Sequence, residues 1–139
     1  ALRASEATTE RNKRMRNMFR ELVPKLEKAG VLLLAGSDGG ASNSYVYPGL
    51  SLHKELEEMV AVGLSPIDAL KTATINGAKF MKTDKYSGSI AVGKVVNLLI
   101  LNQNPLDNIA NTQDIHMVLS QKKVLSKWDL DKLKESVSK

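Results

Sequence analysis

The first pattern along the chain is an apolar stripe within a charged segment. Over residues 6–28, apolar side chains recur at helical spacing, which predicts an amphipathic helix. The stripe consists of Met15, Met18, Phe19, Leu22, Val23 and Leu26. Pro24 should kink or restart this helix, because proline lacks a backbone donor. Gly30 stands where a left-handed C-cap is expected and should end it.

A short apolar run follows and shows no alternation. Residues 31–35, "VLLLA", read as a strand buried on both faces, as in a parallel sheet covered by helices. The run leads directly to Asp38, which stands among glycines in "AGSDGG". Residues 37–49 then form a long loop, and long loops at strand ends often carry function.

Two more helical patterns come after this loop. In the first, Ser51 should cap the helix and Gly63 should stop it, with an apolar face of Leu52, Leu56, Met59 and Val60. The second should be one helix over residues 65–81, where Ser65 is the N-cap and Pro66 fits the first position. Its predicted buried stripe is Ile67, Leu70, Thr74, Ala78 and Met81.

From Gly88 onward the pattern indicates β-structure. A strand is predicted over residues 95–101, and residues 115–119 should pair with residues 124–126 as a hairpin. Trp128 begins a polar tail, and we expect the Trp128 side chain to be buried against the domain. The chain therefore divides into an α/β part, a β part and a polar tail, over residues 1–84, 85–126 and 127–139.

Composition limits the classes of function. A chain of 139 residues that is 42% hydrophobic and 25% charged suits one soluble globular domain. It contains no cysteine, which excludes disulfides and thiolate zinc sites. The two histidines, His53 and His116, form no HxH or HExxH spacing. A complete protein-only metal site within this chain is therefore not expected.

Partners and location are less constrained by the sequence. The net charge of +5 comes from basic residues split between the first helix and the tail, and aromatic residues make up only 4%. Nucleic-acid binding is therefore not expected. No apolar run is long enough to span a membrane. The chain starts at Ala1, so we expect it to be cut from a longer protein; its compartment stays open, with the cytoplasm favoured.

Three motifs in this order resemble the C-terminal portion of the amidohydrolase superfamily, especially its imidazolonepropionase-like and prolidase-like branch. They are "AGSDGG", "PGLSLHKELEEMVAVGLSPIDALKTATINGAKFM" and "GSIAVGKVVNLLILNQNPLDNI". The resemblance implies an α/β fold that is the C-terminal part of a (β/α)8 TIM barrel. Residues 31–35 would be the last barrel strand. The β part would be the C-terminal half of a small β-sandwich.

The same resemblance implies a metal-dependent hydrolase of C–N bonds in amides, cyclic amides or dipeptides. Asp38 would be both a metal ligand and the catalytic group that shuttles a proton, at the strand end where barrel enzymes place their active sites. The metal would be divalent, with zinc expected, and would lower the pKa of bound water to about 7.

Further residues are expected near Asp38. His53 and Ser37 would support the site by hydrogen bonds without binding the metal. Gly39, Gly40, Tyr45 and Tyr47 would form the substrate loop, although packing of the loop explains the two tyrosines equally well.

The remaining metal ligands of the family have no counterpart in these 139 residues. We therefore expect the chain alone to be inactive, and to occur as a homo-oligomer or with a companion chain that supplies the missing barrel. The alternative is a non-catalytic structural or assembly module that another chain completes. An unpaired apolar strand favours either form of association.

Overall fold

The fold was obtained as a computed structural model that describes residues 2–39 and 46–137, with side chains over 8–39 and 46–136. Its helices are α1 Leu2–Lys28, α2 Leu50–Ala61, α3 Pro66–Thr72, α4 Ile75–Phe80, a 3₁₀ helix at Ile109–Gln113, and α5 Lys127–Val137. Its strands are β1 Leu98–Leu101, β2 Ile115–Ser120 and β3 Lys123–Ser126. The α/β class is confirmed, while the barrel and the sandwich remain predictions.

Helix α1 runs through Pro24 without interruption, so the helix does not restart there. Its C-terminus is fixed by a Schellman cap. Gly30 has φ of 76°. Its amide donates to the Glu27 carbonyl at 2.9 Å, and the Val31 amide donates to the Leu26 carbonyl at 3.0 Å. The predicted C-cap is therefore confirmed.

The core lies where the end of α1 meets α2, α3 and the 3₁₀ helix. Its buried members are Leu56, Met59, Leu64, Ala69 and Ile109. Val23 is half-buried against them, whereas Met15, Met18 and Phe19 of the same stripe are exposed by 50% or more. The stripe of α1 is therefore covered only near its C-terminal end.

Residues 31–35 do not form the predicted strand. Leu33 and Ala35 pack against the core, but Val31, Leu32 and Leu34 are exposed by 42–48%. A strand in a parallel sheet needs hydrogen-bonded neighbours, and none of the described residues lies beside this segment as a strand. One of its faces packs on helices, and the other faces outward.

The predicted helix over residues 65–81 is divided into α3 and α4. Thr74 interrupts it with φ of −131° and ψ of −97°, and its hydroxyl donates to the Leu70 carbonyl at 2.7 Å. The division changes the buried face: Ala78 is buried as predicted, but Ile67 and Met81 of the predicted stripe are exposed, and Ala69 and Thr72 are buried in their place. Helix α3 itself begins as expected, with the Ser65 side chain accepting from the Asp68 amide.

The three strands form an antiparallel sheet in the order β1-β2-β3. The predicted hairpin is confirmed, since Ser120 pairs with Lys123 across a two-residue turn. Strand β1 begins at Leu98, three residues later than expected. Trp128 at the start of α5 is 63% exposed, so its predicted burial is wrong. Its ring is instead covered by Lys132, whose Nζ lies 3.6 Å from the ring centroid.

The connection from α4 to β1 is held by one ammonium group and one close backbone contact. Lys94 Nζ donates to the Asp84 carbonyl at 2.5 Å and to Ser89 Oγ at 2.6 Å. Gly88 has φ of +81°, and a Cβ placed on it would lie 2.6 Å from Ala78 Cβ. The connection therefore passes α4 at a distance that excludes a side chain.

Gly88→Ala should destabilise the fold by about 1–3 kcal/mol, because the new methyl group meets Ala78 at a strained φ. Gly77→Ala is the matched control: it lies in α4 with open space around it, and should be neutral or stabilising by up to about 1 kcal/mol. Urea unfolding of both variants measures the difference. Equal midpoints would contradict the close approach at Gly88.

Candidate functional site

Asp38 lies at the end of the 31–39 segment with an unusual backbone conformation. Its φ is 47°, in the left-handed region that aspartate tolerates better than most residues. The carboxylate folds back over Gly36, since a Cβ placed on Gly36 would lie 3.2 Å from Asp38 Oδ1. Asp38 is exposed. The segment therefore presents an accessible carboxylate on a turn shaped by the neighbouring glycine.

Two hydrogen bonds attach this segment to the helices beneath it. The Ala35 amide donates to the Thr72 carbonyl at 3.2 Å, at the end of α3. The Asn76 side-chain amide donates to the Leu33 carbonyl at 2.9 Å, from the first turn of α4. Sequence reasoning missed Asn76, which lies inside what was expected to be a continuous helix. These bonds replace strand pairing as the support of Asp38.

The loop residues predicted near Asp38 are described in part. Gly39 lies under Pro48, whose Cγ would be 3.2 Å from a Cβ on that glycine. Tyr47 is 62% exposed, and its amide donates to Ser51 Oγ at 3.0 Å. Ser37 is half-buried beside Asp38. The predicted substrate-loop residues Gly40 and Tyr45 lie outside the described residues.

A second carboxylate, Glu55 of α2, lies in the electrostatic field of Asp38. Burial raises the pKa of Glu55, and the negative charges of Asp38 and Glu58 raise it further. The carboxylate of Glu55 therefore holds its proton more tightly than an isolated glutamate does. Sequence reasoning missed Glu55, because it is one of several acidic residues in "HKELEE".

His53 is engaged away from Asp38, in a contact between α2 and the 3₁₀ helix. Its Nδ1 lies 3.0 Å from Thr112 Oγ1. The Thr112 hydroxyl already donates its proton to the Ile109 carbonyl at 2.9 Å. His53 Nδ1 must therefore be the donor, which makes the neutral ring the Nδ1–H tautomer and leaves Nε2 unprotonated.

Burial lowers the pKa of His53 below its ordinary value of 6.5, and the nearby Glu57 carboxylate opposes the shift. Glu57 also belongs to this contact, since the Gln113 side chain donates to it at 2.7 Å. The hydrogen bond predicted for His53 is thus present, but it joins two structural elements. The structure does not connect it to Asp38.

The described residues contain no group of three or more His, Asp or Glu side chains arranged to hold a metal ion. Asp38 supplies one carboxylate, and His53 is occupied elsewhere. A divalent metal at Asp38 would therefore need ligands in addition to these residues. A carboxylate oxygen is a suitable ligand for a divalent metal, but the described residues do not supply a complete set of ligands.

A cavity of about 690 Å³ lies elsewhere, between α3–α4 and β1. Its lining is mostly apolar, and Asp38 does not contribute to it. Across the part of the chain that the structure describes, every helix is too short or too polar to cross a membrane.

Comparison with known proteins identifies relatives over most of the chain. Residues 7–126 match the model of the amidohydrolase family. A 5-methylthioadenosine/S-adenosylhomocysteine deaminase from Thermoanaerobacter pseudethanolicus is 36% identical over 86 residues, which are 58% of this chain and 20% of the deaminase. The predicted family resemblance is thereby confirmed.

Solved structures agree with this result. A Xaa-Pro dipeptidase with bound methionine superposes with a TM-score of 0.67 and 25% identity, over 77% of this chain and 25% of the dipeptidase. Molinate hydrolase gives a TM-score of 0.63 and 29% identity, over 70% and 24% of the two chains. The chain thus spans about a fifth to a quarter of these relatives.

Asn76→Ala should loosen the segment that carries Asp38, because it removes one of the two hydrogen bonds that join this segment to α3 and α4. A hydrogen bond contributes about 1 kcal/mol, so the Ala35 amide should exchange with deuterium roughly fivefold faster. Asn102→Ala is the control, since it removes a 2.7 Å bond to Asp114 at the end of β1. Unchanged exchange at Ala35 would show that Asn76 is not an anchor.

The fold should lose stability as the pH falls from 7 to 5, in part through His53. Because its folded pKa lies below the unfolded value of 6.5, the unfolded chain binds more protons in this window. His53→Asn keeps a donor for Thr112 but cannot titrate, so its loss between pH 7 and pH 5 should be smaller. His116→Asn, at an exposed position of β2, should retain the wild-type slope. Urea unfolding at both pH values measures this, and a wild-type slope in His53→Asn would contradict it.

Proposed function

Because the chain belongs to the amidohydrolase family, we propose that it is the C-terminal part of an enzyme that hydrolyses carbon–nitrogen bonds with an activated water. The substrate would be a small amide, cyclic amide or dipeptide. The observation that supports this most is the family match over residues 7–126, which includes the turn that presents Asp38. Asp38 is the proposed catalytic residue of this part.

The role assigned to Asp38 is proton transfer. Its carboxylate accepts a proton from the water that attacks the substrate carbon, and then returns that proton to the departing nitrogen. A C–O bond forms as the C–N bond breaks. Its exposure supports the role. So do the two hydrogen bonds that fix the preceding segment, because a proton carrier must keep its position between the two transfers.

A divalent metal, which we expect to be zinc, would supply the acidified water in the complete protein. Asp38 would contribute one oxygen ligand, and the other ligands would come from a part of the barrel outside the described residues. We therefore propose that this chain alone is inactive. Ser37, Gly39 and Tyr47 would lie beside the substrate.

The relatives suggest two kinds of leaving group. One is the amine released by a dipeptidase, and the other is the ammonia released by a deaminase. In both cases the same proton return to nitrogen is required, so Asp38 would serve either reaction. A substrate panel should therefore include Xaa-Pro dipeptides and 5-methylthioadenosine.

A non-catalytic assembly module is the second candidate. It is favoured by one observation: the described residues bring together fewer than three metal-binding side chains. Such a module would complete another chain without supplying a reacting group. Replacement of Asp38 would then leave the activity of the completed protein unchanged.

A chimera distinguishes the two candidates. Residues 7–126 replace the matching segment of the Xaa-Pro dipeptidase, which supplies the rest of the barrel. Asp38→Asn in this chimera should lower kcat at least about 100-fold, because the amide cannot accept a proton. Asp107→Asn, a carboxylate in an exposed loop, is the control and should stay within about twofold, as expected for a surface change.

The 139-residue chain by itself should show no turnover of the substrate panel and no stoichiometric zinc. Retained activity of Asp38→Asn in a folded chimera would refute the catalytic role and favour the assembly module. Tight zinc binding with turnover by the chain alone would refute its proposed incompleteness.

A further inference from the structure

The connection from α4 to β1 folds around the ammonium group of Lys94. Three oxygens of residues 84–89 accept hydrogen bonds from this group, and we call them the oxygen cage. They are the Asp84 carbonyl at 2.5 Å, Ser89 Oγ at 2.6 Å and the Ser87 carbonyl at 3.3 Å. A lysine ammonium has three donors and no acceptor, so the cage uses its full hydrogen-bonding capacity.

The oxygen cage holds a positive charge without a negative partner. Its three oxygens are neutral, since two belong to backbone carbonyls and one to a hydroxyl. The ion pairs found between described residues involve other basic side chains, and none of them includes Lys94. Lys94 is nevertheless half-buried. Its charge is therefore stabilised by oriented dipoles, as in a cation site, and not by a salt bridge.

Backbone contacts that do not involve the lysine hold the cage residues in place. The amides of Tyr86 and Ser87 both donate to the Thr83 carbonyl, at 2.8 Å and 3.0 Å. The Thr83 amide donates in turn to the Ala78 carbonyl at 2.8 Å, near the end of α4. Gly88, between two of the cage residues, approaches Ala78 so closely that no side chain fits. The cage is therefore attached to α4 through its own backbone.

We propose that Lys94 is a tethered cation, whose ammonium occupies a site that would otherwise bind a free monovalent cation such as ammonium. Backbone carbonyl oxygens are the ligands that replace the water shell of monovalent cations in proteins. Calcium and magnesium are not expected in the cage, because they favour sites that include carboxylates.

The tether joins the residues that lead into β1 to those that follow α4. Lys94 comes from the β1 side and its cage from the α4 side, and one residue later the Val95 amide donates to the Tyr86 carbonyl at 2.9 Å. Occupation of the cage thus closes the connection between the two parts of the chain. The proposal concerns how this connection is held and does not depend on the catalytic role of Asp38.

Hydrogen exchange at the Val95 amide of the full chain tests the proposal, because this amide closes the connection. Lys94→Ala should speed the exchange at least about tenfold, since hydrogen bonds from a charged group are lost. Ammonium chloride at about 0.5 M should slow it again at least about threefold, because free ammonium can occupy the emptied cage. Tetramethylammonium chloride at the same concentration should not, because that cation has no proton to donate.

Two further variants separate the cage from the charge. Lys94→Arg keeps the charge, but a planar guanidinium cannot direct three protons into the cage from one nitrogen. The Val95 amide should therefore exchange at least about threefold faster than in the wild type. Lys85→Ala is the matched control: it removes an exposed lysine of the same connection and should leave this exchange unchanged. Far-UV circular dichroism establishes that each variant is folded.

Acylation of the wild-type chain gives a measurement that needs no variant, and it decides the matter if Lys94→Ala does not fold. With limiting acetic anhydride, Lys94 should be modified at least about tenfold more slowly than Lys85, because its amine reacts only when the connection opens. Peptide mass spectrometry measures both rates.

Any of four results would overturn the proposal. Unchanged exchange of the Val95 amide in Lys94→Ala would show that the ammonium does not close the connection. An ammonium effect no larger than that of tetramethylammonium would show that the cage binds no free cation. Wild-type exchange in Lys94→Arg would show that charge alone is sufficient. Equal acylation of Lys94 and Lys85 would show that the ammonium is not held.

Discussion

The position of Asp38 depends on how the core holds the Thr72 carbonyl. Thr72 is 3% exposed, and its hydroxyl donates to the Ala69 carbonyl at 2.6 Å, while Ala69 is wholly buried. The carbonyl that receives the Ala35 amide is thus fixed by the packing of α3. Asn76 adds a second attachment from α4. The candidate catalytic carboxylate is therefore supported by two short helices, without the neighbouring strands that a closed barrel would provide.

The β part is tied to this core through the 3₁₀ helix. Ile109 is one of the buried core residues, and Thr112 and Gln113 of the same helix bond to His53 and Glu57 of α2. Helix α2 therefore contacts the β part through His53 and Glu57, and it also carries Glu55, whose pKa is raised in part by the charge of Asp38. The packing of the β part can therefore influence the position of α2.

The sequence could predict features governed by local backbone chemistry. Gly30 ends α1, Ser65 caps α3, and the β2–β3 hairpin forms where its pattern indicated. Features set by non-local contacts were not predictable. The division of α3 from α4 at Thr74 coincides with the close approach of Gly88, fourteen residues further along the chain.

The candidate site shows the same division. Asp38 could be identified from the sequence as the candidate catalytic residue, because an apolar run ends in this carboxylate among glycines. The family resemblance strengthened that identification. The residues around Asp38 that make the contacts described above could not be identified from the sequence. Asn76 resembled an ordinary helical residue, Glu55 was one acid among several, and Thr112 gave no signal beside the distant His53. Each matters through a partner far along the chain, and spacing alone does not reveal such partners.

The contact between Gly88 and Ala78 has an evolutionary consequence. A Cβ placed on Gly88 would lie 2.6 Å from Ala78 Cβ, which leaves no room for a side chain at position 88. Loss of the methyl group at position 78 would not be enough to admit a side chain at position 88, because a Cβ there would still lie 3.0 Å from the Ile75 Cα at a φ of +81°. Across divergent sequences, position 88 should therefore remain glycine wherever α4 keeps its present place, whatever small residue stands at position 78.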